Sequence, residues 1–109
     1  MFTIVATRDA ALAAGGVRGL AFRSTDRGAS WIEVEKPATG AIVASTLLAD
    51  GRVILATQEG MLLASSDDGA SFAPLPIEHP QPLSDLIEAR PGELVLSGSF
   101  GLRVVSLPP

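Results

Sequence analysis

The chain has 109 residues, 47% of them hydrophobic and 18% charged, with a formal net charge of −4 and no cysteine. One domain with its own core is the default at that length, and nothing in the composition points to disorder. Net acidity argues against nucleic acid and against anionic membrane, no apolar run nears the roughly 18 residues of a membrane span, and the missing cysteine removes disulfides, thiol catalysis and cysteine-ligated metals.

The N-terminus shows no basic stretch followed by a long apolar run, so no signal peptide is expected. From Phe2 onward the chain reads as short apolar segments separated by turn residues, the pattern of an all-β fold. In residues 1–41 strands are expected at about Phe2–Ala6, Ala11–Gly15, Leu20–Ser24 and Trp31–Glu35. In residues 42–82 they fall at about Ile42–Leu48, Arg52–Thr57, Met61–Ser65 and Phe72–Leu75. In residues 83–109 they fall at about Leu83–Ala89, Glu93–Ser97 and Leu102–Leu107. Asp50-Gly51 and Pro91-Gly92 are turn dipeptides, and Gly19, Gly60 and Gly101 each close a turn. Leu83–Ala89 taken alone could be a short helix, but the register of the repeats argues for strand.

That register is a period of 41 residues with no gap. Asp9 maps to Asp50, and Leu12 to Val53 and Leu94. Phe22 maps to Leu63 and Val104, and Ser24 to Ser65 and Ser106. The period is carried most clearly by two octapeptides, Ser24-Thr25-Asp26-Arg27-Gly28-Ala29-Ser30-Trp31 and Ser65-Ser66-Asp67-Asp68-Gly69-Ala70-Ser71-Phe72. Each joins two apolar runs. Ser24 and Asp26, like Ser65 and Asp67, can bond backbone N–H groups inside a turn. Gly28 and Gly69 supply permissive backbone, and Trp31 and Phe72 begin the returning strand and fold over the turn.

The S-x-D-x-G-x-x-aromatic pattern resembles the Asp-box, or bacterial neuraminidase repeat, and over nearly the whole chain it is most like the photosystem II assembly/stability factor-like branch. Sialidase and sortilin-type domains are more distant relatives in that resemblance. It implies a β-propeller of four-stranded blades acting as a non-catalytic binding or assembly scaffold, with no cofactor, in a family whose members are often exported. A third octapeptide is missing: after Ser106 come Leu107, Pro108 and Pro109. The expected architecture is therefore three blades, the last without its fourth strand. Propellers close with about four to eight blades. Three blades would leave apolar faces at both ends, built from Ile4, Leu12 and Phe22 and from Leu86, Val95 and Val104. Either two copies close a six-blade ring as a homodimer, or the chain is the C-terminal part of a longer propeller. A protein partner is the further expectation.

Asp26 and Asp67 could be catalytic or metal carboxylates, or turn-stabilising acids; the spacing favours the second. The propeller resemblance places the other turns on the ligand face. Candidates there are Arg18, Gln58, Glu59 and Phe100 from the turns, His79 from a link, and Asp85 from an inner strand. Arg18, Glu59 and Phe100 hold equivalent repeat positions with different chemistry, which is either a shaped binding patch or ordinary surface variation. His79 stands alone, too few ligands for zinc, and no G-x-S-x-G motif offers it a nucleophile. The sialidase resemblance implies a tyrosine nucleophile, and the chain contains no tyrosine. Asp85 and Glu88 lie three apart on one strand and would face opposite sides, unlike a glycosidase pair. A carbohydrate-binding or glycosidase-related propeller is the competing function, with Phe100 as the ring on which a sugar would stack.

Overall fold

The three repeats fold into three antiparallel sheets. The structure is a computed structural model and describes residues 2–16, 19–34, 40–75, 77 and 80–107. Sheet 1 contains β1 (Phe2–Ala6), β2 (Leu12–Gly16), β3 (Ala21–Ser24) and β4 (Ile32–Val34) in that spatial order. Sheet 2 contains β5 (Ile42–Leu47), β6 (Val53–Thr57), β7 (Leu62–Ser65) and β8 (Ala73–Leu75), again in order. Sheet 3 contains β9 (Leu83–Arg90), β10 (Glu93–Gly98) and β11 (Gly101–Ser106), with β10 in the middle. No helix occurs among the described residues. The segment that could have been helical is β9.

The sheets stack face to face, with the first strands β1, β5 and β9 lying against one another. A sheet's front is here the side toward the preceding sheet, and its back the side toward the next. Successive side chains of a strand point to opposite faces, so the middle strand of sheet 2 serves two cores. Its Val53 and Leu55 join the layer against sheet 1, with Ala13, Ala21, Val34, Ile42, Leu63 and Phe72. Ile54 and Ala56 join the layer against sheet 3, with Leu62, Leu86, Leu94 and Leu96. β6 is buried along its whole length because both faces are covered, which is why it reads as an unbroken apolar run. Each fully buried Val, Leu or Ile contributes about 1.5–3 kcal/mol.

The first layer depends on a missing side chain. A Cβ on Gly15 would lie 2.5 Å from Cγ2 of Ile42. The glycine lets sheet 2 seat its first strand directly on β2. Across the same junction the hydroxyls of Thr3 and Ser45 bond at 2.7 Å.

Two faces stay open among the described residues: the front of sheet 1 and the back of sheet 3. The front of sheet 1 carries Ile4, Ala14 and Phe22, which are cross-strand partners. The back of sheet 3 carries Ile87, Val95 and Val104, also in register. Ile4, Ile87 and Val104 are 60%, 59% and 61% exposed. The expectation that Leu86 lies at this end is corrected: it is buried in the core against sheet 2. The two ends use opposite faces, and Leu86 is the repeat equivalent of Ile4 on the front face, so its neighbour Ile87 is the one turned outward.

A second correction concerns β11. In sheet 2, Leu55 pairs with Leu63. The repeat equivalent of Leu55 is Leu96, which pairs with Arg103 rather than Val104. The last hairpin is one residue tighter, with Gly98 paired directly to Gly101. A slip of one residue exchanges the faces of a strand. Val104 therefore points out beside Val95, and Val105 packs on the core.

Two outcomes are expected from the layers. Leu55→Ala should cost about 2–5 kcal/mol in urea unfolding. Gly15→Ala should cost about 1–3 kcal/mol by overpacking, and should cost less in an Ile42→Ala background, which lacks Cγ2 and Cδ1.

Candidate functional site

The chemistry of the two octapeptides is internal to the turns. Ser24 donates its hydroxyl to Asp26 Oδ1 at 2.8 Å and accepts the Gly28 N–H at 2.8 Å. Asp26 Oδ1 also accepts the Ser30 N–H at 2.8 Å, and Oδ2 accepts the Ser30 hydroxyl. The second copy repeats this: Ser65 donates to Asp67 at 2.7 Å and accepts Gly69 N–H at 2.9 Å. Asp67 then accepts both the N–H and the hydroxyl of Ser71. Each carboxylate thus closes a ring of bonds across its own turn.

Those bonds stabilise the ionised acids. Asp26 is lowered to about 2, first by the Ser30 hydroxyl, then by the Ser30 N–H and the Ser24 hydroxyl. Asp67 is lowered to about 2, first by the hydroxyls of Ser71 and Ser65. Ser30 and Ser71 are the functional residues that the sequence reading missed. Their signal was present, a serine at the seventh position of both copies. Glycine does not carry the turn's unusual backbone alone. Gly28 and Gly69 do have positive φ, at 91° and 86°, but so do Arg27 at 61° and Asp68 at 65°. Two successive left-handed residues make the bend.

The aromatic residues diverge. Trp31 donates its Nε1–H to the Gly28 carbonyl at 3.1 Å, which fixes the indole over its turn. It is 38% exposed, whereas Phe72 is 9% exposed in the core layer with Val34. Trp31, Ile4, Ala14 and Phe22 line an apolar concavity of about 360 Å³ on the open front of sheet 1.

Asp68 reaches across to sheet 1. Its carbonyl accepts Arg23 Nε at 2.9 Å, its carboxylate meets Arg23 Nη2 at 3.3 Å, and Asp9 N–H donates to it at 3.2 Å. The second turn is thereby fastened to the preceding sheet. The first turn holds Arg27 at the equivalent position. Beside this fastening lies a charged concavity of about 330 Å³, lined by Arg8, Asp9, Asp50, Arg52, Asp67 and Asp68 among others. Arg52 pairs with Asp50 at 2.9 Å. The Arg52 N–H lowers the Asp50 carboxyl first, and the guanidinium adds to it. No group of three or more His, Asp or Glu poised for a metal occurs among the described residues.

The turns at the opposite end hold three of the expected ligand residues, Gln58, Glu59 and Phe100. Gln58 and Glu59 are exposed in the β6–β7 turn. The Gln58 backbone bonds Ala41 O at 2.9 Å and Leu83 N at 3.2 Å, so this turn ties the starts of sheets 2 and 3. Glu59 lies over Gly40, where a Cβ would be 2.4 Å from its Oε1. Phe100 is half-buried and packs on the core between sheets 2 and 3, which occupies part of the ring proposed for sugar stacking. Asp85 is exposed and caps the Leu86 N–H at 2.8 Å. Glu88 faces the other side and accepts Ala49 N–H at 2.8 Å and Gly92 N–H at 3.0 Å. Arg18 and His79 lie outside the described residues.

No protein-family model matches the chain, and no curated protein does either.

The octapeptide geometry gives a pH prediction. A carboxyl whose pKa falls from 3.8 to about 2 on folding stabilises the fold above its unfolded value. That contribution disappears as pH falls from about 4 toward 2. Asp26→Asn with Asp67→Asn should flatten the acid limb of stability against pH, read by urea midpoints at stepped pH, and should lower the midpoint at pH 7.

Proposed function

We propose that the chain is a partial Asp-box β-propeller that acts as a non-catalytic assembly scaffold and closes its ring with a second copy of itself. The observation that carries this reading is the pair of open apolar faces. Inside the chain, the back of each sheet covers the front of the next. Among the described residues one front and one back are left over, on sheets 1 and 3, and they are of the same kind as the faces already packed. Two copies placed head to tail would satisfy both leftovers twice. They would give six blades, two of them three-stranded, inside the usual propeller range of about four to eight. Each junction would join unlike surfaces, yet the pair would be closed by a two-fold axis.

A scaffold role is supported by how the acids are used. Asp26 and Asp67 spend their oxygens on their own turns. Asp85 and Glu88 sit on opposite faces of β9, with partners Ser97 and Leu94 across the ladder. Neither arrangement presents two carboxylates to one substrate.

The head-to-tail reading has a complementation test. Ile4→Asp disables the front of sheet 1, and Ile87→Asp disables the back of sheet 3. Each variant alone should lose both junctions, raising the dimer dissociation constant at least about tenfold, or about 1.4 kcal/mol. Mixing the two restores one intact junction, so association should reappear in sedimentation of the mixture. If Ile87→Asp alone stays dimeric, the copies associate front to front and the ring reading fails.

A further inference from the structure

Resting on that ring, we propose that each junction contains a slot for an extended peptide strand, walled by the outer edge of β11 and floored by Trp31 of the second copy. The slot follows from comparing junctions. Between sheets 1 and 2, the fourth strand β4 pairs with β3 through Ala21–Val34, Phe22–Glu33 and Arg23–Ile32. Its Val34 enters the core layer that holds Phe72. Ile32 and Val34 also line one groove with Ala70 and Ser71 of the second octapeptide. The fourth strand of one sheet therefore lies over the octapeptide of the next. β8 repeats the arrangement on β7, with Leu75 packed toward sheet 3.

Sheet 3 pairs β11 only with β10, so the other edge of Gly101–Ser106 has no strand on it among the described residues. In the ring, the octapeptide facing that edge would be Ala29-Ser30-Trp31 of the second copy. Trp31 is the repeat equivalent of Phe72. Phe72 is 9% exposed beneath β4, and Trp31 is 38% exposed. An open ladder edge and an indole already oriented by its bond to Gly28 meet at one place. Two requirements define the occupant. Its backbone must extend antiparallel to β11. An aliphatic side chain must point at the indole, in the place of Val34, which shares its core layer with Phe72. The pattern of β4, Ile-Glu-Val, meets both. Leu102 and Val104 on the open face supply the apolar wall, and the one charge on β11, Arg103, is paired with Leu96 on the opposite, core-facing side.

The probe is an N-acetylated, C-amidated Ser-Phe-Ile-Glu-Val peptide, whose phenylalanine leaves Trp31 as the sole tryptophan emitter. The control replaces its isoleucine with proline. Pro74 shows that β8 tolerates proline at the middle position, so the blocking residue belongs at a flanking one, where a ladder donor is lost. Mass by light scattering is followed in the same samples. The expected result is a dimer in which the probe gives a saturable blue shift of Trp31 emission. Exchange of the β11 amides should slow about tenfold at ten times the dissociation constant, and the proline peptide should have no effect. A dimer with unchanged emission overturns the slot and leaves the ring standing. A monomer with unchanged emission overturns both. A monomer whose emission does shift places the peptide on the open front of sheet 1, which also overturns a junction site.

Discussion

A β-sheet has two faces, and an apolar face is stable only against another apolar surface. Every large feature of this chain answers that constraint. Sheet 2 is covered on both sides, and β6 accordingly contains no polar residue before Thr57. Sheets 1 and 3 are each covered on one side, and their outer sides keep apolar ladders, Ile4–Ala14–Phe22 and Ile87–Val95–Val104. A stack of such sheets has no natural end, and a ring of them needs none. The proposed assembly is the same constraint applied once more, to the two faces left uncovered among the described residues.

The octapeptide turns make the stacking regular. Each spends one aspartate and two serines on closing a bend, so the following strand leaves in a set direction. The carboxylates look like candidate chemistry in the sequence, yet their bonds are all local. Apart from Thr25 against Ser66, what varies between the copies is the residue in the fourth position and the aromatic at the end. Asp68 fastens its turn to Arg23 of the preceding sheet, and Phe72 is sealed beneath β4. Arg27 and Trp31 occupy the same places at an open face. These differences fall where one junction is internal and the other, in the proposed ring, is between copies.

Much of the fold was legible because period and turn chemistry agree over the whole chain. Ser24, Asp26 and Gly28 mark a turn by local hydrogen bonding, and alternation of apolar residues marks the strands. Three things were not legible. Ser30 and Ser71 recur at the same place in both copies, but that each bonds a carboxylate four residues back is set by the path of the turn. The slip in β11 arises in a two-residue turn between glycines, and the repeat pattern of Gly-(Leu/Met)-x-x-x-Ser is unchanged by it. The outward turn of Ile87 instead of Leu86 requires knowing that the two ends expose opposite faces. The expected ligand face was only partly assembled: Gln58 and Glu59 tie the starts of two sheets, whereas Phe100 spends part of its ring on the core. A local motif could be read directly, but the face toward which a side chain points is decided by the neighbouring sheet.

The most direct measurement of the central claim is the mass in solution, by light scattering after size exclusion over a wide concentration range. Closure by a second copy predicts a stable species of twice the 11.2 kDa chain mass that does not grow as concentration rises. A single-chain mass throughout would contradict it, and so would open-ended growth, in which unlike faces join without closing.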